Sequence, residues 1–265
     1  MRADCFLEAV NPAVFATNRL GFSPDPHQTR VLNATTTRGL LNCCRQWGKS
    51  TSTAAKAIHH AFFHPRATIL VLCPSARQSA EFLRKRSHFL EMIGIRPRGD
   101  GDNEISLLLP NQSRIIGLPG NETTIRGFSA VSLLLIDEAS RVPDALYLAL
   151  RPTLATSPGA AIWLMSTPNG KRGFFYDTWV GAAHFDENTP PDNWSRITVQ
   201  ATDCPRIAAS FLDEERATLG DLWFRQEYLC EFVEDEQSLF RQDDLLALLS
   251  DDIEPLFPVK TGRAY

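Results

Sequence analysis

Short apolar runs bounded by turn residues recur along the chain, at Gly39 to Cys44, Ala67 to Cys73, Ile105 to Leu109, Arg114 to Leu118, Val131 to Ile136, Ala161 to Met165 and Arg196 to Val199. Runs of this length predict strands. The second and fifth are almost unbroken in Ile, Leu and Val, the composition required of strands covered on both faces in a parallel sheet. The third and fourth are split only by Pro110, Asn111, Gln112 and Ser113, and so predict a hairpin at a sheet edge. Between the first two strands the period changes: Ala54, Ala57, Ile58, Ala61 and Phe62 in Ser50 to Phe63 lie on one helical face, and Pro65 ends the helix. That is a βαβ unit, whose crossover is expected to be right-handed. After the second strand, Ser75 and Gln78 make a capping-box pair, and Phe82, Leu83, Phe89, Leu90 and Ile93 form the buried stripe of the helix it opens.

From about Trp179 the character shifts. Glu187 to Asp192 is polar with two prolines, one strand follows, and a helical stretch from Ile207 to Phe232 is interrupted by Gly220. The chain therefore divides into an α/β core at 1–178, a small lid or linker subdomain at 179–236 and an acidic linker at 237–265. A length of 265 residues suits one large α/β domain with an appendage, and 43 % hydrophobic with 22 % charged residues excludes a wholly disordered chain. The net charge of -4 excludes bulk attraction to polyanions, so nucleic-acid contact needs a local patch. Arg84, Lys85 and Arg86, with Arg96 and Arg98, could supply one; the plainer alternative is a solvated face. The start Met1-Arg2-Ala3-Asp4 is not a secretory pattern and no run of 18 apolar residues follows, so a soluble intracellular protein is expected, with its six cysteines reduced.

The strand at 39–44 runs directly into Arg45, Gln46, Trp47, Gly48, Lys49, Ser50 and Thr51, and the helix follows. In the general pattern G-x-x-x-x-G-K-[ST], N–H groups at a helix N-terminus hold phosphates, Lys reaches the β/γ oxygens and the hydroxyl ligates Mg²⁺. Cys43 stands where the pattern has its first glycine. A harmless turn with one exposed lysine is the bland alternative, and the strand-to-helix placement argues against it. Val131 to Ile136 ends in Asp137 and Glu138. One carboxylate there can hold the water shell of Mg²⁺ while its neighbour orients and polarises an attacking water. Beyond Ala161 to Met165 come Ser166, Thr167, Pro168, Asn169 and Gly170. Ligands of open α/β sheets gather at strand C-termini, so Ser166, Thr167 and Asn169 are candidates to sense a γ-phosphate, or else simply cap a Pro-Asn-Gly turn.

In order and spacing these segments resemble the ATPase domain of the large terminase subunit, the motor that pumps double-stranded DNA into phage and herpesvirus-type capsids. The likeness covers most of the chain. It is carried by Arg45-Gln46-Trp47-Gly48-Lys49-Ser50, Arg126-Gly127 ahead of Ile136-Asp137-Glu138, Ser166-Thr167-Pro168-Asn169-Gly170, and Phe224-Arg225-Gln226-Glu227-Tyr228 with Cys230-Glu231-Phe232. The family tolerates a residue other than glycine at the position of Cys43. The fold implied is an α/β P-loop NTPase of the RecA/ASCE-like type, a mostly parallel sheet flanked by helices, with an edge hairpin and a small C-terminal lid or linker subdomain.

The resemblance implies ATP and Mg²⁺, with Lys49 and Ser50 on phosphates and metal, Asp137 supporting the metal and Glu138 activating water. Arg45 would act on the γ-phosphate within its own subunit. Arg126 occupies the position of the family's arginine finger, which reaches into a neighbouring site; an exposed loop cation is the alternative. Such an arginine is worth about 10³ to 10⁵ in rate, and a fixed guanidinium suits the task better than Lys. Gln28, in Pro26-His27-Gln28, resembles the glutamine that reads the adenine edge, with Phe22 as stacking candidate. The implied partners are double-stranded DNA, a homo-oligomeric ring, pentameric on the capsid portal, the portal protein and the small terminase subunit, with no membrane, in the cytoplasm of an infected host cell.

Large terminases usually continue into an RNase H-like nuclease, so a chain ending at Tyr265 is expected to be an isolated ATPase domain that does not cut DNA. Two alternatives stand beside the motor. A helicase-like translocase would need a second nucleotide-facing lobe after about Val233. A nucleotide-responsive scaffold would bind ATP without turnover. His60 and His64 have i, i+4 spacing beside His59, but Pro65 and the want of a third ligand argue against zinc.

Overall fold

Each predicted strand forms, within about a residue of its expected bounds. In the computed structural model, which describes residues 3–95, 106–119, 127–181 and 192–234, these are β1 (Arg38–Cys43), β2 (Thr68–Cys73), β3 (Ser106–Leu108), β4 (Arg114–Pro119), β5 (Val131–Asp137), β6 (Ala161–Ser166) and β7 (Ser195–Val199). They join one sheet in the order β3-β4-β2-β5-β6-β1-β7. All pairings are parallel except the β3–β4 hairpin at the edge. β7, expected within the 179–236 subdomain, instead pairs with β1 and extends the core sheet, and residues 1–233 form one compact unit. Arg96, Arg98, Arg126 and the 237–265 linker lie outside the described residues.

The two-residue period of a strand sends alternate side chains to opposite faces, and both faces here are apolar. Leu41, Ile69, Val71, Leu133, Leu135, Trp163 and Met165 pack on one side with α2 (Pro12–Leu20), α3 (Pro26–Asn33), α4 (Lys49–Phe63) and α5 (Ala76–Met92). Leu40, Leu70, Leu72, Leu134, Ile136 and Leu164 pack on the other with α6 (Asp144–Leu150) and α7 (Gly173–Val180). Helices on both faces are what makes an almost entirely parallel sheet stable. α1 (Ala3–Val10) precedes this core, and α8 (Ala209–Leu219) and α9 (Asp221–Glu227) follow β7. No helix among the described residues is long and apolar enough to cross a membrane.

Ser75 caps α5 by accepting from Gln78 N–H and donating to Gln78 Oε1. A full capping box opens α3: Asp25 accepts from Gln28 N–H at 2.8 Å and Gln28 Oε1 accepts from Asp25 N–H at 3.0 Å. All six cysteines are free thiols.

His59 and His60 make the fold sensitive to acid. His59 Nε2 lies 3.0 Å from Glu8 O and its ring packs on Phe15 and Phe63; His60 Nε2 lies 3.0 Å from Ser132 Oγ and its ring stacks on His64. Burial pushes both imidazoles down to about 4. In the unfolded chain they protonate near the ordinary value of about 6.5. Between those values the unfolded state binds more protons, so stability present above pH ~6.5 falls as pH declines toward 4, by up to about 1.4 kcal/mol per pH unit for each ring. Urea midpoints measured from about pH 7.5 down to about pH 4.5 should drop steeply in the wild type and less so in His59→Gln/His60→Gln. Equal slopes in both would refute the assignment.

Candidate active site

β1 delivers the chain to a tight loop. Cys44 N–H donates to Val199 O at 2.9 Å, which ties the strand end to β7 before the loop begins. Gln46 and Gly48 then adopt left-handed backbone, with φ of 61° and 99°. Trp47 is fully buried and anchors the loop in the core. From outside, Gln28 Nε2 donates to Trp47 O at 3.0 Å, and the Arg206 guanidinium donates to the same carbonyl while its Nη1 pairs with Asp25 Oδ2 at 3.0 Å. A Cβ on Gly48 would stand 2.8 Å from Gln28 Nε2, so space as well as φ demands glycine. α4 starts at Lys49, with Thr51 N–H donating to Gly48 O at 3.1 Å. The N–H groups of Lys49 and Ser50 precede the first intrahelical acceptor, at the positive end of the helix. Cys43 is fully buried and burial pushes its thiol well above the ordinary range, so it is an inert filler where glycine would stand.

β1, β6 and β5 are consecutive in the sheet and parallel, so their C-terminal ends share one edge. Lys49 Nζ lies 2.6 Å from Glu138 Oε1 and 3.1 Å from Asp137 Oδ1, and Ser50 Oγ donates to Asp137 Oδ2 at 3.1 Å. Burial alone would lower the affinity of Lys49 for its proton, but Asp137 and Glu138 outweigh burial and hold the group above its ordinary value. Lys49 is therefore an ammonium facing two carboxylates. Glu138 has φ +52°, a left-handed conformation that costs a residue with a side chain about 1–3 kcal/mol. Ser50 and Asp137 are hard oxygen donors brought together at a helix N-terminus, a set that fits Mg²⁺.

The segment after β6 divides its duties. Ser166 Oγ lies 2.7 Å from Ser140 Oγ and Asn169 Nδ2 donates to Ser140 O at 3.4 Å, so both brace the turn that follows Glu138. Thr167 Oγ1 accepts from Arg141 Nη1 at 3.1 Å. Arg45 Nε lies 2.8 Å from Glu227 Oε2, at the end of α9. The Gln28 side-chain carbonyl serves the capping box and its amide serves Trp47, which orients it beside the loop; Phe22 packs instead toward Phe89. Arg84 pairs with Glu81. Arg141, Glu227, Asp25 and Arg206 belong to this site without having been singled out for it. For Asp25 a signal was present, an Asp before Pro with Gln three residues on. A lone arginine after two carboxylates carries none, and Glu227 stands in the sequence only as one residue of the family-like segment Phe224 to Tyr228, with no role attached.

Residues 40–247 match the family model described as terminase large subunit, T4likevirus-type, N-terminal. The large terminase subunit of Thermus virus P23-45 is 25 % identical, over 87 % of this chain and 53 % of its own length. That of Escherichia phage T5 is 25 % identical, over 83 % and 50 %. The chain thus spans about half the length of the curated relatives it matches. Among solved structures, the large terminase ATPase domain of Thermus phage P74-26 aligns with a TM-score of 0.68 at 22 % identity, covering 87 % of this chain and 98 % of that one. The bacteriophage HK97 large terminase aligns with a TM-score of 0.68 at 14 % identity, covering 84 % and 55 %. These alignments show the P-loop NTPase fold. With the family model spanning well over half of the sequence, the chain belongs to the terminase large subunit family, matched in that family's N-terminal region.

Proposed function

We propose that this chain hydrolyses ATP with Mg²⁺, and that hydrolysis drives double-stranded viral DNA into a procapsid. The observation that carries this is the meeting of Lys49 and Ser50 with Asp137 and Glu138 across the ends of β1 and β5. In this assignment the loop Gln46 to Thr51 and Lys49 hold the phosphates, Ser50 and Asp137 hold the metal, and Glu138 takes the proton of the attacking water. Arg45 serves the γ-phosphate once it leaves Glu227, and Thr167 reads that phosphate's loss. Gln28 contributes its second amide proton to the adenine edge. Residues 1–178 with β7 supply the core that carries the catalytic apparatus, α8 and α9 act as the lid, and 237–265 is the linker. Arg126 completes a neighbour's site in a ring of copies on the portal, working with portal protein and the small terminase subunit in the host cytoplasm.

Phosphate release from Mg-ATP, with and without duplex DNA, tests the reading. Lys49→Ala should weaken ATP binding by about tenfold or more, the value of a charge-assisted phosphate contact, and turnover should fall with it. A wild-type chain that releases no phosphate under either condition, or unchanged binding in Lys49→Ala, would refute the assignment.

A further inference from the structure

Arg141 lies three residues beyond Glu138, at the end of the single turn Ala139–Arg141, and its N–H donates to Glu138 O at 2.9 Å. Its guanidinium touches three segments remote from one another in sequence. Nη1 lies 3.3 Å from Glu138 Oε2 and donates to Thr167 Oγ1 at 3.1 Å, while Nη2 lies 3.6 Å from Glu227 Oε1. Glu138 Oε1 faces Lys49, so a different cation attends each oxygen of that carboxylate. Glu227 is only 4 % exposed, and its other oxygen takes Arg45. Charges of alternating sign therefore run Lys49, Glu138, Arg141, Glu227, Arg45, a circuit that begins and ends in one phosphate loop.

The two cations on Glu138 are not equivalent. Lys49 has phosphates to serve, and when it turns to them Oε1 loses its partner. That oxygen then becomes free to accept a proton. Arg141 has a planar fork whose Nη1 meets Oε2 and Thr167 Oγ1 while Nη2 faces Glu227 Oε1, a two-armed contact that the point charge of a lysine cannot reproduce. Without it, a carboxylate abandoned by Lys49 could rotate away from the water, and misplacement by about 1 Å can cost on the order of 10²-fold in rate.

We infer that Arg141 is a positioning residue for the reaction: it grips Glu138 through Oε2, presents Oε1 to water, and joins that carboxylate to Thr167 and, through Glu227, to the end of α9. The inference rests on the ATPase reading above.

The test uses the whole chain, with phosphate release against ATP concentration, ATP affinity by calorimetry, and thermal melting. Arg141→Met should lower kcat by about 10- to 100-fold and leave KM and ATP affinity close to wild type. Arg141→Lys should recover part of the loss. Arg141→Met should add nothing in a Glu138→Gln background, since it acts through Glu138. Arg141→Gln, which keeps a donor without the charge, repeats the comparison if methionine lowers the melting temperature. Wild-type kcat in Arg141→Met and Arg141→Gln, a loss confined to ATP affinity, or a full additional loss on top of Glu138→Gln would each overturn the inference. A wild-type chain that hydrolyses no ATP would sink the ATPase reading itself, and this role with it.

Discussion

Glu138→Gln is expected to reduce ATP turnover by about 10²- to 10⁴-fold while ATP binding stays near the wild-type value. The substitution keeps shape and an acceptor: the amide oxygen can still face Lys49 Nζ, now 2.6 Å from Glu138 Oε1. Asp137 remains 3.1 Å from the same ammonium, so Lys49 keeps a carboxylate partner and the phosphate loop its charge. What disappears is the basic oxygen. In barrier terms the loss is about 3–5 kcal/mol. Phosphate release and calorimetric ATP binding on the same preparation decide the matter, and a variant that turns over like wild type would remove Glu138 from the role of base. A turnover that is negligible before and after the change would favour the nucleotide-responsive scaffold.

The same variant tests the ring. Glu138→Gln subunits retain Arg126, and Arg126→Ala subunits retain Glu138. Mixed together, they should regain turnover that neither shows alone, because an Arg126→Ala site can borrow the arginine of a Glu138→Gln neighbour. The arginine is worth about 10³ to 10⁵ in rate, so recovery should be plain above either background. Full activity of Arg126→Ala alone, independent of protein concentration, would rule out the finger.

The elements legible in the sequence are those whose physical cause is local. β2 and β5 are covered on both faces, so their apolar runs are unbroken and their ends stand out. The phosphate loop and the Asp137-Glu138 pair are each contiguous, and a strand places each one, so their meeting followed once the strands were assigned to one sheet. Other features carry quieter local signals. Asn11 accepts from Val14 N–H ahead of Pro12, and Gly21 closes α2 with left-handed backbone, yet the polar spacing there hid the helix. Gln28 carries two meanings, since the residue that resembles an adenine reader is also the partner in the capping box of α3. Illegible were the long-range charges. Glu227 stands in the sequence only as one residue of the segment Phe224 to Tyr228, and its burial with Arg45 and Arg141 brings together segments far apart along the chain. The place of β7 in the core sheet is illegible too, because its neighbour in space, β1, is remote along the chain.

Gly39→Ala should destabilise the fold by about 3 kcal/mol, the upper end of the usual cost of overpacking. Gly39 stands directly beside Trp163 in the β1–β6 register. A Cβ there would lie 2.3, 2.4 and 2.5 Å from three atoms of the Trp163 ring, closer than carbon atoms can approach. The ring has no room to yield. It is fully buried, and Lys56 Nζ sits 4.5 Å from its centroid while donating to the carbonyls of Val31, Leu32 and Ala34 at 3.1–3.3 Å, which pins the cation to the end of α3. Separation of β1 from β6 is the remaining way to accommodate the methyl group. At about 2–4 °C per kcal/mol for a chain of this size, the melting temperature should fall by about 6–12 °C. Those two strands carry the phosphate loop and Thr167, so ATP affinity should weaken in the surviving folded fraction. Trp163→Leu in the same chain should return part of the lost stability, because the two residues share one space and their effects cannot add independently. A melting temperature unchanged in Gly39→Ala would mean that the indole moves freely, and the close fit of β1 on β6 would then have no role in holding the loop.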